Sequence, residues 1–450
     1  MEKEETIEDK IKSVKESFLK KSENKEINLI SHFDTDGISS AAIMIQTLKK
    51  LDKRFKVTIL KNLEKEFIKK IPKDEFTLFL DLGSGSIEQI KEAGIKDVFI
   101  IDHHQIDSKV EIPPQIEIIN PELYEKQKIS ASGLTYLFCK ELNPENKKFA
   151  KLAILGMIGD TLEKEISNLN HDILKDGETK RKRSLLLYPS TRPINRTLEY
   201  SSNPFIPGIT GDTKGVLELL REAGIKPSGG KYKSLIELNE DETEKIITAI
   251  MLRNPKTRNK EIVGDIFLIK LFNKLEDARE MSAIINACSR LGNSEIAIKF
   301  CMEIPSAKKK AESIHTKYKQ HIISGLKFAS EITSEKEKNF IIINAGKNIK
   351  ETVIGTIASI LSKSSIYEEG TIIIAMALRE DNKKIKISAR SVGDCGRNLR
   401  EMLSNTLKKI SSEGEVGGHE FAAGCILEKE KEQEFINSLQ KSLEIEVLKV

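Results

Sequence analysis

The run Val98-Phe99-Ile100-Ile101-Asp102-His103-His104-Gln105 decides how the rest of the chain is read. Four apolar residues are followed at once by a carboxylate and two imidazoles. The apolar part reads as a buried strand. Ionisable groups at the end of a core strand are costly to hold unless they bind something. Alone, the histidine pair could equally be a satisfied surface turn.

Its neighbours remove that ambiguity. Ile27-Asn28-Leu29-Ile30-Ser31 is a second apolar run, and it releases His32, Asp34 and Asp36 before Gly37. Phe76-Thr77-Leu78-Phe79-Leu80 is a third, and it releases Asp81 before Leu82 and Gly83. In an open parallel α/β sheet the C-terminal strand ends share one crevice, where ligands bind. A further acid, Asp160, follows the helix-like run Phe149 to Ile158. Together these residues gather too much negative charge to sit close without cations. Two divalent ions sharing one carboxylate would neutralise it. Mixed imidazole and carboxylate donors suit Mn²⁺, or Zn²⁺ or Fe²⁺, better than Mg²⁺, which prefers oxygen alone.

The triplet Asp102-His103-His104 and its companions resemble the DHH family of phosphoesterases. The first motif is His32-Phe33-Asp34-Thr35-Asp36-Gly37, the second Asp81-Leu82-Gly83-Ser84-Gly85, and the fourth Gly159-Asp160-Thr161. Near the C-terminus, Gly417-Gly418-His419-Glu420-Phe421-Ala422-Ala423-Gly424 is similar to the signature of the DHH-associated domain, and Ser388-Ala389-Arg390-Ser391 to the phosphate-binding strand before it. Asn286-Ala287-Cys288-Ser289-Arg290-Leu291-Gly292 resembles a further RecJ-type element. Each is weak alone; in this order they are specific, and they extend over nearly the whole chain. The archaeal RecJ-like single-strand exonucleases are the relatives the pattern suggests.

The resemblance implies one metal among His32, Asp34 and Asp81. It implies a second among Asp36, Asp81, His103 and Asp160, with Asp81 shared. His32 stands where bacterial RecJ has an aspartate. Asp102 would orient an imidazole, and His104 would hold the scissile phosphate. Ser388, Arg390, His419, Gly417 and Gly418 would bind a neighbouring or terminal phosphate, with Arg290 on the substrate path. Mn²⁺ is the expected ion, ahead of Mg²⁺ or Co²⁺.

The 450 residues suffice for two or three domains with ample core. The boundaries we expect are a metal-binding catalytic domain with a leading helix over 1–165 and an insertion over 166–262. The end of the catalytic domain and a connecting helix follow over 263–336, then a smaller α/β substrate-binding domain over 337–450. The fold class is thus α/β, with a parallel-sheet DHH domain. Ile7, Ile11, Val14, Phe18 and Leu19 have helical spacing. Gly37 is expected to turn the chain from strand to helix, Ser86 to cap the helix after Gly85, and Ser130 and Ser132 to cap another. Lys180-Arg181-Lys182-Arg183 reads either as a solvated loop or as part of a lid, strand guide or docking surface, and Phe205 as a loop tip that could stack a base. Residues 293–336 read as one long helix, implying a cleft between two domains that admits single strands only.

Charged residues make up 32% of the chain, and net charge is only +4. The protein is no polycation, so nucleic-acid binding must use local basic patches. No apolar run reaches the roughly 18 residues of a membrane span. The start, Met1-Glu2-Lys3-Glu4-Glu5, has no signal-peptide character. The five cysteines lack metal-ligand spacing and read as reduced thiols of a cytoplasmic protein.

The function expected is metal-dependent exonucleolytic hydrolysis of single-stranded DNA or RNA, in replication or repair. A replication or helicase protein could dock on the insertion. One alternative is a phosphodiesterase on short oligonucleotides or cyclic dinucleotides. Another is a replication scaffold, but the branch of the family in the replicative helicase has lost its metal ligands, and this chain keeps them all.

Overall fold

The computed structural model describes residues 6–107, 109–124, 127–201, 206, 208–253, 262–332, 339–364, 366–412, 414 and 416–447. The expected base-stacking residue Phe205 lies outside them. The chain divides into two compact units. The first is Met1–Lys182 with Asp265–His315, and the second is Arg183–Gly264 with Thr316–Val450.

The first unit is built on five strands: β1 Ile27–His32, β2 Phe55–Leu60, β3 Phe76–Leu80, β4 Asp97–Ile101 and β5 Ile116–Ile119. They lie in the order β2-β1-β3-β4-β5, all parallel. Their apolar continuity reflects burial on both faces. Leu29, Phe76, Leu78, Phe99 and Ile101 enter one core, while Ile30, Phe79, Val98 and Ile100 enter the other. The order reverses at β1, which has β2 on one side and β3 on the other, so the crevice opens at the C-terminal ends of β1 and β3. The leading helix Ile7–Lys21 packs Phe18 edge-on against Phe76, Phe99 and Phe138, at 5.4–5.5 Å between ring centres.

Two local expectations are corrected and a third gains its physical reason. Gly37 permits the sharp passage from strand to helix by close approach rather than by a left-handed backbone. It is needed because a Cβ there would lie 2.3 Å from the His32 carbonyl oxygen, where the helix Thr35–Lys50 leaves β1. Ser86 makes no capping hydrogen bond. The long helix is broken: Ser294–Cys301 ends, and Pro305–Ile332 begins. Glu303 has left-handed backbone at φ 56° between them. Its carboxylate takes Lys151 and, at 2.6 Å, the amide of Phe272, which fixes the break. Pro305 cannot donate to a continuing ladder.

Strands β6 Lys180–Leu185, β7 Val263–Leu271 and β8 Lys274–Asp277 form a three-stranded sheet in that order. The basic run expected to be a loop is therefore the start of a strand, with Arg181 paired to Asp265 of β7. Cross-strand charge pairing permits a polar strand that apolar periodicity cannot reveal.

In the second unit, Ile194–Glu199, Thr213–Glu222 and Glu240–Arg253 are helices. A second five-stranded sheet follows: β9 Phe340–Asn344, β10 Ile372–Leu378, β11 Lys384–Ser391, β12 Val416–His419 and β13 Ala422–Glu428, in the order β12-β13-β11-β10-β9. One face packs Ile387, Ala389, Ala423 and Cys425 into a core with Leu399, Leu403 and Phe435. All five cysteines are free. Among the described residues no helix is long and apolar enough to cross a membrane.

Candidate metal centre

Each expected ligand is delivered by a named end. His32 closes β1. Asp34 caps the following helix, its Oδ1 accepting the Gly37 amide at 3.0 Å. Asp36 lies in the first turn of that helix and is 1% exposed. Its two carboxylate oxygens accept the amides of Ala131 and Ser132, at 2.7 and 3.0 Å. Those amides open the helix Ala131–Leu142, capped by Ser130. A helix N-terminus stabilises the negative charge aimed at it. Asp81 follows β3 with φ 57°, a left-handed conformation that aspartate tolerates better than most residues. Asp160 caps the C-terminal end of Ala150–Gly159.

These groups meet around Asp81. His32 Nδ1 lies 3.1 Å from Asp34 Oδ2 and 3.2 Å from Asp81 Oδ2. On the other side, His103 Nε2 lies 3.4 Å from Asp81 Oδ1, 3.5 Å from Asp160 Oδ2 and 3.9 Å from Asp36 Oδ2. His32, Asp34 and Asp81 form one group whose ligand atoms lie within 4.8 Å of one another, and Asp36, His103 and Asp160 form another. Asp81 Oδ1 and Asp160 Oδ2 are buried without a hydrogen-bond partner. A buried, unpaired carboxylate oxygen is costly, and a divalent cation is the partner this donor set fits.

The imidazoles are held in distinct ways. His32 Nε2 faces the Lys61 carbonyl oxygen at 3.2 Å. If Nε2 carries the proton, Nδ1 is left as the ligand atom. Asp102 holds His104, with Oδ1 at 2.7 Å from Nδ1, and accepts the His103 amide at 2.8 Å. Its Oδ2 accepts the Ser84 amide at 3.0 Å. Buried Asn120 donates to Ser84 Oγ at 2.8 Å and to the His104 carbonyl at 2.9 Å, tying the histidine loop to the glycine-serine turn.

The electrostatics follow from burial and crowding. Burial, then the charge of Asp36, raises Asp81 well above the usual carboxylate range; the same two causes raise Asp160. Burial disfavours charge on His32, but hydrogen bonds to Asp34 and Asp81 outweigh it and lift its pKa from 6.5 to about 10. Burial likewise opposes charge on His103, and Asp36, Asp160 and Asp102 overcome it. His104 is raised chiefly by its hydrogen bond to Asp102. Without metal, protons supply the balancing charge.

A pH dependence follows. His32 has a raised folded-state pKa, so its stabilisation is complete below 6.5 and is lost as pH rises through about 10. Raised Asp81 and Asp160 act in the same direction. In a chelator, thermal stability should therefore fall as pH rises over this range. Metal must displace these protons, so the stabilisation by added Mn²⁺ should grow with pH. Melting curves with EDTA or Mn²⁺ at several pH values test this; metal stabilisation that shrinks with rising pH would sink it.

The remaining expected residues lie elsewhere. Arg290 ends the helix Ala278–Arg290 in the first unit, its Nε donating to Asn286 Oδ1 at 3.1 Å. Ser388, Arg390, Gly417, Gly418 and His419 belong to the second unit. Register places Ser388 beside Gly424 and Gly417, and Arg390 beside Ala422 and His419, on one sheet face. Arg390 donates to Ser359 Oγ at 2.9 Å and to the carbonyls of Ala389 and Ala423 at 2.7 and 3.3 Å. Gly418, at φ 114°, has no room for a side chain: a Cβ would lie 2.3 Å from the Ala422 carbonyl oxygen. Its close approach is thus to β13, whereas Gly417 meets open space.

Sequence reasoning missed Gly156. A Cβ there would lie 2.0 Å from Ser132 Oγ and 2.2 Å from Asp36 Oδ1. A glycine inside an apolar helical run was the available signal. The roles of the Ala131, Ser132 and Ser84 amides carried no signal, because any residue supplies an amide.

Family models match three stretches: the DHH family N-terminal domain over residues 26–157, the DHH-CID domain over 187–261 and the DHHA1 domain over 337–444. An uncharacterized protein of Methanocaldococcus jannaschii is 29% identical over 457 residues, covering 98% of each chain. Among solved structures, exonuclease RecJ bound to manganese aligns with TM-score 0.59 at 17% identity, covering 98% of this chain and 95% of that one. RecJ of Thermus thermophilus in complex with Mn²⁺ aligns at 0.58 and 17% identity. There 97% of this chain spans 54% of the other, about half its length. CDC45 from Entamoeba histolytica aligns at 0.70 and 12% identity, covering 96% and 98%. At such identities the structural likeness is one of fold.

Proposed function

We propose that this chain, which belongs to the DHH family, is a metal-dependent exonuclease that hydrolyses phosphodiester bonds of single-stranded DNA or RNA. The observation that carries the reading is the placement of buried Asp81 and Asp160 oxygens, without hydrogen-bond partners, among three imidazoles at the switch point of a parallel sheet. His32, Asp34 and Asp81 would hold one ion, and Asp36, Asp81, His103 and Asp160 the other, with Mn²⁺ the expected metal. When bound, such ions acidify water and neutralise phosphoryl charge.

The chain's own groups do the rest. Asp102 fixes the His104 ring through Nδ1 and raises its pKa, so Nε2 is the atom that presents a proton to a phosphate oxygen. The Ala131 and Ser132 amides hold the Asp36 carboxylate in its orientation. Ser388, Arg390 and His419 would seat a neighbouring or terminal phosphate and so favour cleavage near a chain end. A replication or helicase partner on the insertion, where the DHH-CID match lies, belongs to the same reading.

The test is a time course on single strands labelled at either end, as DNA and as RNA, with Mn²⁺. Immediate release of a labelled mononucleotide from one end is expected. Rapid loss of only two- to five-nucleotide substrates would shift the reading to short oligonucleotides, and no cleavage with metal bound would sink catalysis.

Arg390→Ala should raise KM for a phosphate-ended strand about 10- to 100-fold, the worth of one charge-assisted hydrogen bond. Metal affinity should stay unchanged. An unchanged KM would remove Arg390 from the phosphate site.

A further inference from the structure

Strands β4 and β5 pair in parallel with Ile101 beside Ile119, so the residues that follow them, Asp102 and Asn120, leave the sheet side by side. The pairing runs on by one step, with the Asp102 amide donating to the Ile119 carbonyl at 3.1 Å. Asn120 is 0% exposed, and both ends of its amide are engaged. Its Oδ1 accepts the Glu122 amide at 2.9 Å. Its Nδ2 donates to Ser84 Oγ at 2.8 Å and to the His104 carbonyl at 2.9 Å. A backbone amide on one side and a carbonyl on the other fix which end of the side chain is which. An ionised aspartate would have no donor for that carbonyl.

These bonds close a ring. From Asn120 it runs to Ser84 Oγ, from the Ser84 amide to Asp102 Oδ2 at 3.0 Å, and from Asp102 Oδ1 to His104 Nδ1 at 2.7 Å. It returns from the His104 carbonyl to Asn120 Nδ2. Asp102 thus holds the imidazole, and Asn120 holds the backbone from which the imidazole projects. The His104 side chain is 54% exposed, so burial alone does not hold it, and its placement depends on this ring of bonds.

We propose that Asn120 is a positioning residue that acts through His104, fixing the point from which its Nε2 reaches the phosphate. The inference rests on the reading of His104 as the group that holds the scissile phosphate. A misplacement of about 1 Å in such a group is worth about 100-fold in rate.

Two substitutions test it. Asn120→Asp keeps the volume and the acceptor for the Glu122 amide. Asn120→Ala removes the group without adding charge. Both should lower kcat about 10- to 100-fold on the end-labelled single strand that the parent cleaves, with KM and Mn²⁺ affinity within about threefold. His104→Ala should lower kcat about 10²- to 10³-fold. In that background either Asn120 substitution should cost less than about twofold more, because the residue it acts through is gone. A merely structural role would instead multiply the two losses. In the metal-free protein, the low-field proton resonance of His104 Nδ1 should be lost or broadened in both Asn120 variants. Parent kcat in both variants, multiplied losses, or an unchanged resonance would overturn the positioning role and leave the exonuclease reading intact. Parent activity in His104→Ala would overturn the role of His104 along with that of Asn120. A parent that binds Mn²⁺ and cleaves nothing would overturn the exonuclease reading itself.

Discussion

Asp81→Asn should abolish hydrolysis, lowering kcat/KM about 10³-fold or more, while leaving the metal-free protein at least as stable as the parent. Asp81 is 1% exposed and stands between His32 on one side and His103 on the other, so both proposed ion positions depend on its charge. Removing a shared anionic ligand forfeits several kcal/mol of charge stabilisation, and each 1.36 kcal/mol is about tenfold in rate. Stability should move the other way. Burial and the charge of Asp36 already disfavour ionised Asp81, and the amide cannot ionise. Asparagine also suits the left-handed backbone at φ 57°, whereas alanine there would add a strain of roughly 1–2 kcal/mol. The measurements are cleavage rates, Mn²⁺ titration and melting in EDTA. Activity within tenfold of the parent would show that Asp81 does not join two ions.

Gly156→Ala should damage the same centre without touching a ligand. The added Cβ would fall 2.0 Å from Ser132 Oγ and 2.2 Å from Asp36 Oδ1. Both residues are buried and cannot swing into solvent. Either the helix Ala150–Gly159 moves away or Asp36 leaves the Ala131 and Ser132 amides. Overpacking costs about 1–3 kcal/mol, and charge-assisted hydrogen bonds about 1.5–3 kcal/mol each. A loss of about 2–4 kcal/mol is expected, with Mn²⁺ affinity down about 10- to 100-fold, as for residues that orient metal ligands. Gly85→Ala is the control, because a Cβ there meets nothing within 4 Å. Unchanged metal affinity in Gly156→Ala would show that the position of Asp36 is not set by this helix.

The two substitutions differ in how visible their targets are in the sequence. Asp81 stands out because an unbroken apolar run ends in an acid, and a strand buried on both faces must be apolar throughout. The same reason exposed β1 and β4 and the residues after them. Gly156 shows only as a glycine in a helix, since its function depends on what packs against it. The break at Glu303 was hidden because the helical pattern of Ser294–Cys301 and Pro305–Ile332 continues across it, and its carboxylate is engaged by Lys151 and Phe272, distant in sequence. Strand β6 escaped because its pairing with β7 replaces apolar alternation by charge complementarity.

By itself, the sequence determined that parallel apolar strands end in imidazoles and carboxylates, and hence that a crevice rich in metal-ligand chemistry exists. That follows from local rules: buried strands are apolar, and charged groups collect where they end. Only the tertiary structure decided which donor faces which. It set Asp102 on His104, placed the amides of Ala131 and Ser132 on Asp36, left Asp81 and Asp160 with buried oxygens lacking hydrogen-bond partners, and aligned Arg390 with His419 across β13. Those pairings join residues distant in the chain and often use backbone groups that every residue carries, so no pattern of side chains could announce them.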